Sequence, residues 1–281
     1  MSDVQERAIL CPNCRKLISA DEPVCPHCGT AKPGAKWKSA LVALIAPRGD
    51  NIVNYIIYVN VAMFVISILF SSSGVGMSGN PLTLFSPSSN AMLLLGATGT
   101  VPIDQVGRWW SLLSANYLHG GLLHIVFNMM ALRQLGPFVI REYGIYRMMV
   151  IYTVSGLIGY WLSYEAGVRF TIGASAAVCG LIGAALYYGK SRGGEYGKAV
   201  SKEVSGWIFG LFIFGLIFPG INNWGHAGGI LGGIAVGYLL NYRERKADNL
   251  VHLVLSAVCI FATIAVLLWA VGSASFYRLG G

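Results

Sequence analysis

The sequence predicts an all-α polytopic membrane protein that begins with a small polar module. Of its 281 residues, 55% are hydrophobic and only 11% are charged, whereas soluble domains carry about a quarter charged residues. The apolar residues follow the polar N-terminal stretch in runs close to the ~20 residues with which a helix crosses a bilayer. Seven such runs predict seven spans, at about 52–70, 112–132, 146–165, 174–190, 205–219, 226–241 and 251–271.

Two C-x-x-C pairs lie close together in the N-terminal module. Cys11 and Cys14 form the first pair, and Cys25 and Cys28 form the second, ten residues later. Four thiolates at this spacing can surround one ion tetrahedrally, as in a structural zinc site. A module of about 30 residues cannot bury a useful core, so the metal would supply its folding free energy. Residues 1–32 therefore resemble a zinc ribbon of the short, two-knuckle kind, with a structural Zn²⁺.

The first residues lack the basic stretch and apolar core of a signal peptide. We therefore expect the ribbon to stay in the cytosol, where thiols are reduced. This expectation favours a metal over the alternative, a pair of disulfides. Four thiolates leave no open coordination position for catalysis. The ribbon is predicted to bind a cytosolic partner or to regulate the rest of the chain.

The formal net charge of +8 is distributed over short loops between the apolar runs. A nucleic-acid-binding protein would concentrate that charge on one face or arm, so no nucleic acid is expected as a partner. The pattern instead favours interaction with anionic lipid of the bilayer. Residues 33–50 are predicted to form a basic linker with a short apolar segment at the membrane surface.

Basic residues also orient the predicted spans. Ten of them lie in the loops after the second, fourth and sixth spans, and three lie on the opposite side. Because basic loops stay in the cytosol, this asymmetry predicts a cytosolic N-terminus and an outer C-terminus. The ten are Arg133, Arg141, Arg147, Lys190, Arg192, Lys198, Lys202, Arg243, Arg245 and Lys246, and the three are Arg108, Arg169 and Arg278.

Polar side chains begin three of the predicted spans. His119, His124 and Asn128 begin the second span, Ser175 begins the fourth, and His226 begins the sixth. All three spans run inward, so these residues lie in the outer half of the bilayer. Taken singly, each could simply bond to its own or a neighbouring backbone. Together, polar groups at a shared depth are costly without a function, so the sequence predicts one site.

The residue types at that depth are those of nucleophilic catalysis. Ser175 would be the nucleophile, and His226 would take its proton and later return it to the leaving group. The Ser175 amide, His124 and Asn128 could stabilise an oxyanion. No acidic residue lies near His226 in the sequence, so a Ser-His dyad is favoured over a triad. Small residues around both positions predict close helix packing that would bring the pair within hydrogen-bond reach.

These motifs resemble the rhomboid family of intramembrane serine proteases. The matching features are H-x4-H-x3-N at His119, His124 and Asn128, then G-x-S ending at Ser175, then H-A-G-G beginning at His226. A tryptophan-rich segment before the second span resembles the family's first outer loop. The resemblance covers about residues 50–271.

The resemblance implies a catalytic core of six helices over 51–241, followed by a seventh span and tail over 242–281. It implies that Ser175 is the nucleophile and His226 the base, with His124 and Asn128 at the oxyanion and His119 as a supporting residue. Substrates would be single-pass transmembrane proteins, and the chemistry would need no cofactor. The expected location is a bacterial cell membrane.

Two positions depart from the family pattern and leave other functions open. Ala176 follows the serine where the family generally has glycine, and Cys179 stands where many members carry an aromatic residue. One alternative is therefore a catalytically weak or inactive rhomboid-like protein that binds transmembrane clients. A transporter or channel with histidine ligands is a weaker alternative, because the spans lack carboxylates.

Overall fold

A computed structural model describes residues 8–11, 14, 16–34, 49–71, 84–218 and 220–278. The chain divides into two compact units, Met1–Ile52 and Val53–Gly281. Most of the predicted linker, residues 35–48, lies outside the described residues, as do residues 72–83.

The N-terminal unit is a small antiparallel hairpin followed by a turn. Strand β1 (Ala8–Leu10) pairs with β2 (Leu17–Ser19). Side chains alternate across such a pair, so Ile18 is buried against Cys11 and Cys25. The few buried apolar residues make this core too small to fold without a further constraint.

The described residues also form ten α-helices and one 3₁₀ turn, Ala115–Tyr117. The helices are α1 (Gly49–Leu69), α2 (Ser89–Leu94), α3 (Thr100–Val106), α4 (Ser111–Ser114), α5 (Leu122–Tyr143), α6 (Ile145–Glu165), α7 (Ser175–Arg192), α8 (Gly194–Ile217), α9 (Asn223–Leu240) and α10 (Leu250–Arg278).

Five of these helices are long and apolar enough to cross a membrane: α1 from Asn51, α5, α6, α8 and α10. The prediction of a helical, multi-span protein is therefore confirmed. The fourth and sixth predicted spans are the helices α7 and α9, which have 18 residues each. Their glycines and polar ends lower their hydropathy, which suits helices that pack among others.

The second predicted span is misplaced by about ten residues. It was expected at 112–132, but α5 runs from Leu122 to Tyr143, through Pro137. Residues 111–117 form instead the short helix α4 and the 3₁₀ turn. The backbone at Gly121 is extended, with φ 164° and ψ 171°, so the helix cannot begin earlier. His119 consequently lies in the loop that leads into α5.

Helices α6, α7 and α9 form the packed centre of the membrane unit. A Cβ atom added at Gly228 would lie 2.9 Å from the Cα atom of Gly159, so α6 and α9 touch backbone to backbone. Helix α8 buries residues only in its first half. The centre thus carries α7 and α9, which begin with the candidate nucleophile and the candidate base.

A fully buried arginine fastens α10 to this centre. Arg147 donates to the carbonyl oxygens of Asn241 at 3.1 Å and Lys246 at 2.6 Å, and to Nδ1 of His252 at 3.1 Å. It also pairs with Asp248 at 3.3 Å. The first turn of α6 therefore holds the connection from α9 to α10.

Candidate functional site

The loop before α5 sets the position and the tautomer of His124. The Gly120 amide donates to Nδ1 of this imidazole at 3.3 Å. Because Nδ1 accepts a hydrogen bond, the proton of the neutral ring lies on Nε2. The ring of His119 lies edge-on to that of His124, 5.2 Å between centroids. His119 is fully buried, and neither of its nitrogens has a partner within the described residues.

Asn128 lies one turn beyond His124 and is buried. Its Nδ2 donates to the carbonyl oxygen of His124 at 2.8 Å. One N–H of the amide is therefore used within α5, and the second is available to another acceptor.

Gly173 places the Ser175 hydroxyl beside His124. Its φ of +127° lies in a region that side chains disfavour. A Cβ atom added there would lie 2.7 Å from Nε2 of His124 and 3.6 Å from Oγ of Ser175. The segment is held by the Gly173 amide, which donates to Ala115 at 2.9 Å, and by the Tyr160 hydroxyl, which donates to the Gly173 carbonyl. The imidazole and the hydroxyl thus border one small space.

Ser175 is the first residue of α7 and is half-buried. N–H groups in the first turn of a helix have no partner within the helix. The Ser175 amide is such a group, and no hydrogen bond to it occurs among the described residues.

The register between α7 and α9 brings Ser175 and His226 to the same level. A Cβ atom added at Gly229 would lie 3.1 Å from the Cβ atom of Cys179, so these two residues are opposite each other. Gly183 and Gly233 are opposite each other as well. A Cβ atom added at Gly183 would meet the carbonyl of Ile230, and one added at Gly233 would meet the carbonyl of Gly180. One turn earlier, this register sets Ser175 opposite Gly225, which is the neighbour of His226.

His226 lies in the first turn of α9 and is half-buried. Its Nδ1 atom is buried and has no hydrogen-bond partner in the part of the chain that the structure describes. Between these described residues, the Ser175 hydroxyl and His226 form no hydrogen bond. The structure therefore brings the predicted pair to one level without joining them.

The two positions that depart from the family pattern are both absorbed by helix packing. Ala176 is buried in a cluster with Ala115 and Tyr160. A Cβ atom added at Gly159 would lie 2.9 Å from that of Ala176, so this glycine makes room for the methyl group. Cys179 packs against Gly229 in the same manner.

The four N-terminal thiols form a second candidate site. The Sγ atoms of Cys11, Cys14, Cys25 and Cys28 all lie within 4.8 Å of one another. Two pairs cross between the two knuckles, at 3.6 Å for Cys11–Cys28 and 3.7 Å for Cys14–Cys25. The S–S bond of a disulfide is about 2.05 Å long. This arrangement therefore does not support the alternative of two disulfides.

One of these thiols is set up to ionise. Burial opposes ionisation of Cys28, but hydrogen bonds from the hydroxyl and amide of Thr30 lower its pKa to about 6. The thiolate is the form that binds metal. Burial raises the pKa of Cys14 to about 12, so it is the clustering of the four thiols that would let them hold a metal ion such as zinc.

Sequence reasoning missed two residues that hold the site. Asn222 caps α9 and bonds to Ser163 and Thr171. Its signal was available, because asparagine before an apolar run is a typical helix cap. Tyr160 gave no signal, since one tyrosine in a long apolar span does not reveal its partner.

Comparison with known proteins gives a consistent picture. Residues 106–243, from the end of α3 to just beyond α9, match the rhomboid domain family. Rhomboid protease GluP of Bacillus subtilis (strain 168) is 33% identical over 177 residues, which are 63% of this chain and 34% of GluP. RHOMBOID-like protein 4 of Arabidopsis thaliana is 33% identical over 166 residues, covering 58% of this chain and 42% of that protein.

RHOMBOID-like protein 7 of the same plant is 28% identical over 225 residues, covering 75% of this chain and 69% of that protein. The chain thus spans only about a third of GluP and less than half of RHOMBOID-like protein 4. The four cysteines and α10 lie outside the matched rhomboid domain.

Proposed function

Because the chain belongs to the rhomboid family, we propose that it is an intramembrane serine endopeptidase that cleaves transmembrane proteins. Ser175 is the nucleophile and His226 is the general base. The observation that carries this proposal is the register of α7 and α9, which sets the serine level with the histidine.

The reaction needs one proton to move between these two groups. His226 takes the Ser175 proton as Oγ attacks the scissile carbonyl carbon, and a tetrahedral oxyanion forms. The same proton passes from His226 to the leaving amine as the C–N bond breaks, which leaves an acyl-enzyme. Water then attacks the ester with His226 again as base, and the released Ser175 regains its proton.

Three groups are available to the oxyanion. Nε2 of His124 faces the space beside Ser175. This nitrogen carries the proton of the ring, because Nδ1 accepts from the Gly120 amide. The Ser175 amide, at the N-terminus of α7, has no hydrogen-bond partner among the described residues, and Asn128 has a second N–H. Prepositioned donors of this kind typically contribute about 10²–10³ each to the rate. His119 supports the His124 ring from the side.

A groove beside the site supports a transmembrane helix as the substrate. It has a volume of about 320 Å³ and lies between α5, α7 and α8. Its residues Met130 and Ile182 follow His124 and Ser175 by six and seven positions, so the groove lies roughly 10 Å deeper along the helices. A substrate helix in this groove would reach the dyad with its outer end.

The proposed architecture is a rhomboid core of six helices, 51–241, with a seventh span and tail over 242–281. The basic loops support a cytosolic N-terminus and an outer C-terminus. The site would then open outward, where water can enter. The natural location is a cell membrane, and the ribbon over 1–32 would meet a cytosolic partner.

The same proposal assigns a structural Zn²⁺ to the four cysteines. A tetrahedral site with Zn–S bonds of ~2.3 Å has S–S edges of about 3.8 Å, close to the observed 3.6 and 3.7 Å. When bound, the ion would hold the two knuckles together. Catalysis in the membrane unit would need no metal.

Labelling with a fluorophosphonate probe tests the dyad. We expect the Ser175 oxygen to displace fluoride from the probe, with His226→Ala and Ser175→Ala both abolishing the label. Ser67→Ala is the matched control, because Ser67 is a buried serine of α1 whose hydroxyl donates to the Phe64 carbonyl at 2.7 Å. Cleavage of a reporter transmembrane substrate should follow the same pattern. Equal cleavage by wild type and Ser175→Ala would exclude a protease and leave the client-binding alternative.

Metal analysis of the full-length protein tests the ribbon. We expect about one zinc per chain, lost in Cys25→Ser and retained in the control Cys259→Ser. Because thiolates take up protons as the pH falls, zinc should also be released on acidification. Full zinc occupancy in Cys25→Ser would refute the four-cysteine site.

A further inference from the structure

Asn222 organises the beginning of α9. Its Oδ1 atom accepts from the Gly225 amide at 2.9 Å, and its carbonyl oxygen accepts from the His226 amide at 3.1 Å. The position of the His226 backbone is therefore fixed by the residue one turn before it.

Both N–H groups of the same amide bond to hydroxyls on other segments. Nδ2 donates to Oγ of Ser163 at 2.8 Å and to Oγ1 of Thr171 at 2.9 Å. Both partners are buried, and Ser163 itself donates to Gly159 within α6 at 3.0 Å. The amide thus uses its acceptor and both of its donors, with no group left over.

Thr171 belongs to the segment that carries the nucleophile. Its backbone pairs with Thr98 through two hydrogen bonds, of 2.8 and 3.1 Å. It precedes Ser175 by four residues, as Asn222 precedes His226 by four. One side chain therefore joins the two chain segments that deliver the nucleophile and the base.

We propose that Asn222 is a positioning residue that sets the distance between Ser175 and His226. The inference rests on the proposed function, since it concerns the same dyad. The two segments enter from different helices and form no direct hydrogen bond between Ser175 and His226. Among the described residues, the amide of Asn222 is the polar link between them, and it is anchored on α6 through Ser163. Loss of this link should let the first turn of α9 shift relative to Gly173–Ser175.

The test must separate this role from simple helix capping. Asn222→Ser keeps a good capping oxygen but is too short to reach Ser163 and Thr171. Thr171→Val keeps the shape of the side chain and removes one acceptor. The control is Asn249→Ala, because Asn249 caps α10 in the same way, accepting from the His252 amide at 3.1 Å.

We expect Asn222→Ser and Thr171→Val each to slow fluorophosphonate labelling of Ser175 by tenfold or more, since a misplacement of about 1 Å can cost about 10² in rate. The double variant should label no more slowly than the slower single variant. On a reporter substrate, kcat should fall while KM stays near the wild-type value. Asn249→Ala should lower the melting temperature and leave the labelling rate unchanged.

Two results would overturn this inference while leaving the proposed dyad intact. The first is a wild-type labelling rate of Ser175 in Asn222→Ser when His226→Ala is unreactive. The second is a labelling rate in Asn249→Ala that falls as much as in Asn222→Ser. If wild type and His226→Ala label alike, the dyad itself has failed. The link is then decided by melting temperatures, because coupled residues give non-additive losses. If the decrease in melting temperature of the double variant equals the sum of the decreases in Asn222→Ser and Thr171→Val, the link is refuted. A decrease smaller than that sum would uphold it.

Discussion

Gly173 is a residue whose lack of a side chain decides the geometry of the site. Its positive φ and its contact with the His124 ring both exclude a Cβ atom. The neighbouring Ala176 makes the opposite use of a small side chain, because its methyl group fills space that Gly159 leaves. At the scale of single residues, the presence or absence of one methyl group therefore decides whether the candidate site keeps its geometry.

Gly173→Ala should lower the labelling rate of Ser175 by about 100-fold, because the new methyl group displaces His124 from the oxyanion position. Gly107→Ala is the matched control. It also has a positive φ, +67°, but nothing lies within 4 Å of its added Cβ atom. The control should lose about 1 kcal/mol of stability from backbone strain and keep its labelling rate. Equal labelling rates for the two variants would contradict this account.

Ala176→Gly restores the residue that the family generally has, yet we expect no gain in activity. The Ala176 methyl group is buried against α6 and the 3₁₀ turn rather than in the space beside Ser175. Its removal should cost roughly 1–2 kcal/mol, since it leaves a small void and adds a glycine to a helix. Thermal melting and probe labelling measure the two effects. A tenfold faster labelling would mean that the methyl group does crowd the oxyanion site.

Among the elements, α7 and α9 depend on backbone contact. A Cβ atom added at Gly233 would overlap the Gly180 carbonyl, which cannot turn away as a side chain could. Such contact is typical of small-residue faces in membranes. It fixes the register of these two helices and hence the relative level of Ser175 and His226.

Gly233→Ala should therefore destabilise the protein by about 1–3 kcal/mol, as overpacking does, and lower labelling of Ser175. Gly272→Ala is the control on α10, where nothing lies within 4 Å of the added Cβ atom. That substitution should leave both the melting temperature and labelling near wild type. A harmless Gly233→Ala would show that the helices can separate without loss of the site.

The sequence predicted these elements better than it predicted their ends. Glycine-rich stretches predicted the close packing of α7 and α9, because glycine lets the backbones of two helices approach each other. The start of α5 was wrong, since apolar residues before Gly121 suggested a helix that its extended backbone prevents. The register could not be predicted either, because several glycines on each helix offer alternative pairings. Likewise, the hydroxyl partners of Asn222 come from distant segments that only the folded chain brings together.

On the scale of the whole molecule, polar contacts secure α10 at both of its ends. At one end, the buried Arg147 bonds to the connection after α9 and pairs with Asp248. At the other end, Arg278 donates to the Leu69 carbonyl at 2.7 Å. The helix outside the matched rhomboid domain is thus a fixed part of the membrane unit.

Arg147→Met should cost about 3–5 kcal/mol, because it removes one of the two arginines that pair with Asp248 and leaves the Asn241 and Lys246 carbonyls without their donor. Arg192→Met is the control, since its ion pair with Glu244 at 2.9 Å is partly exposed and should contribute less than about 1 kcal/mol. Melting temperature and protease sensitivity of the 242–249 connection report the difference. Similar melting temperatures for both variants would mean that α10 does not depend on this anchor.

The Arg147 anchor also has a consequence for how the protein is made. Its partners Asn241, Lys246 and His252 follow it by 94 to 105 residues. At a synthesis rate of about 5–20 residues per second, they leave the ribosome roughly 5–20 s after the arginine does. During that interval α7, α8 and α9 are synthesised while the Arg147 guanidinium lacks these partners, so this part of the membrane unit is complete only after α10 has been made.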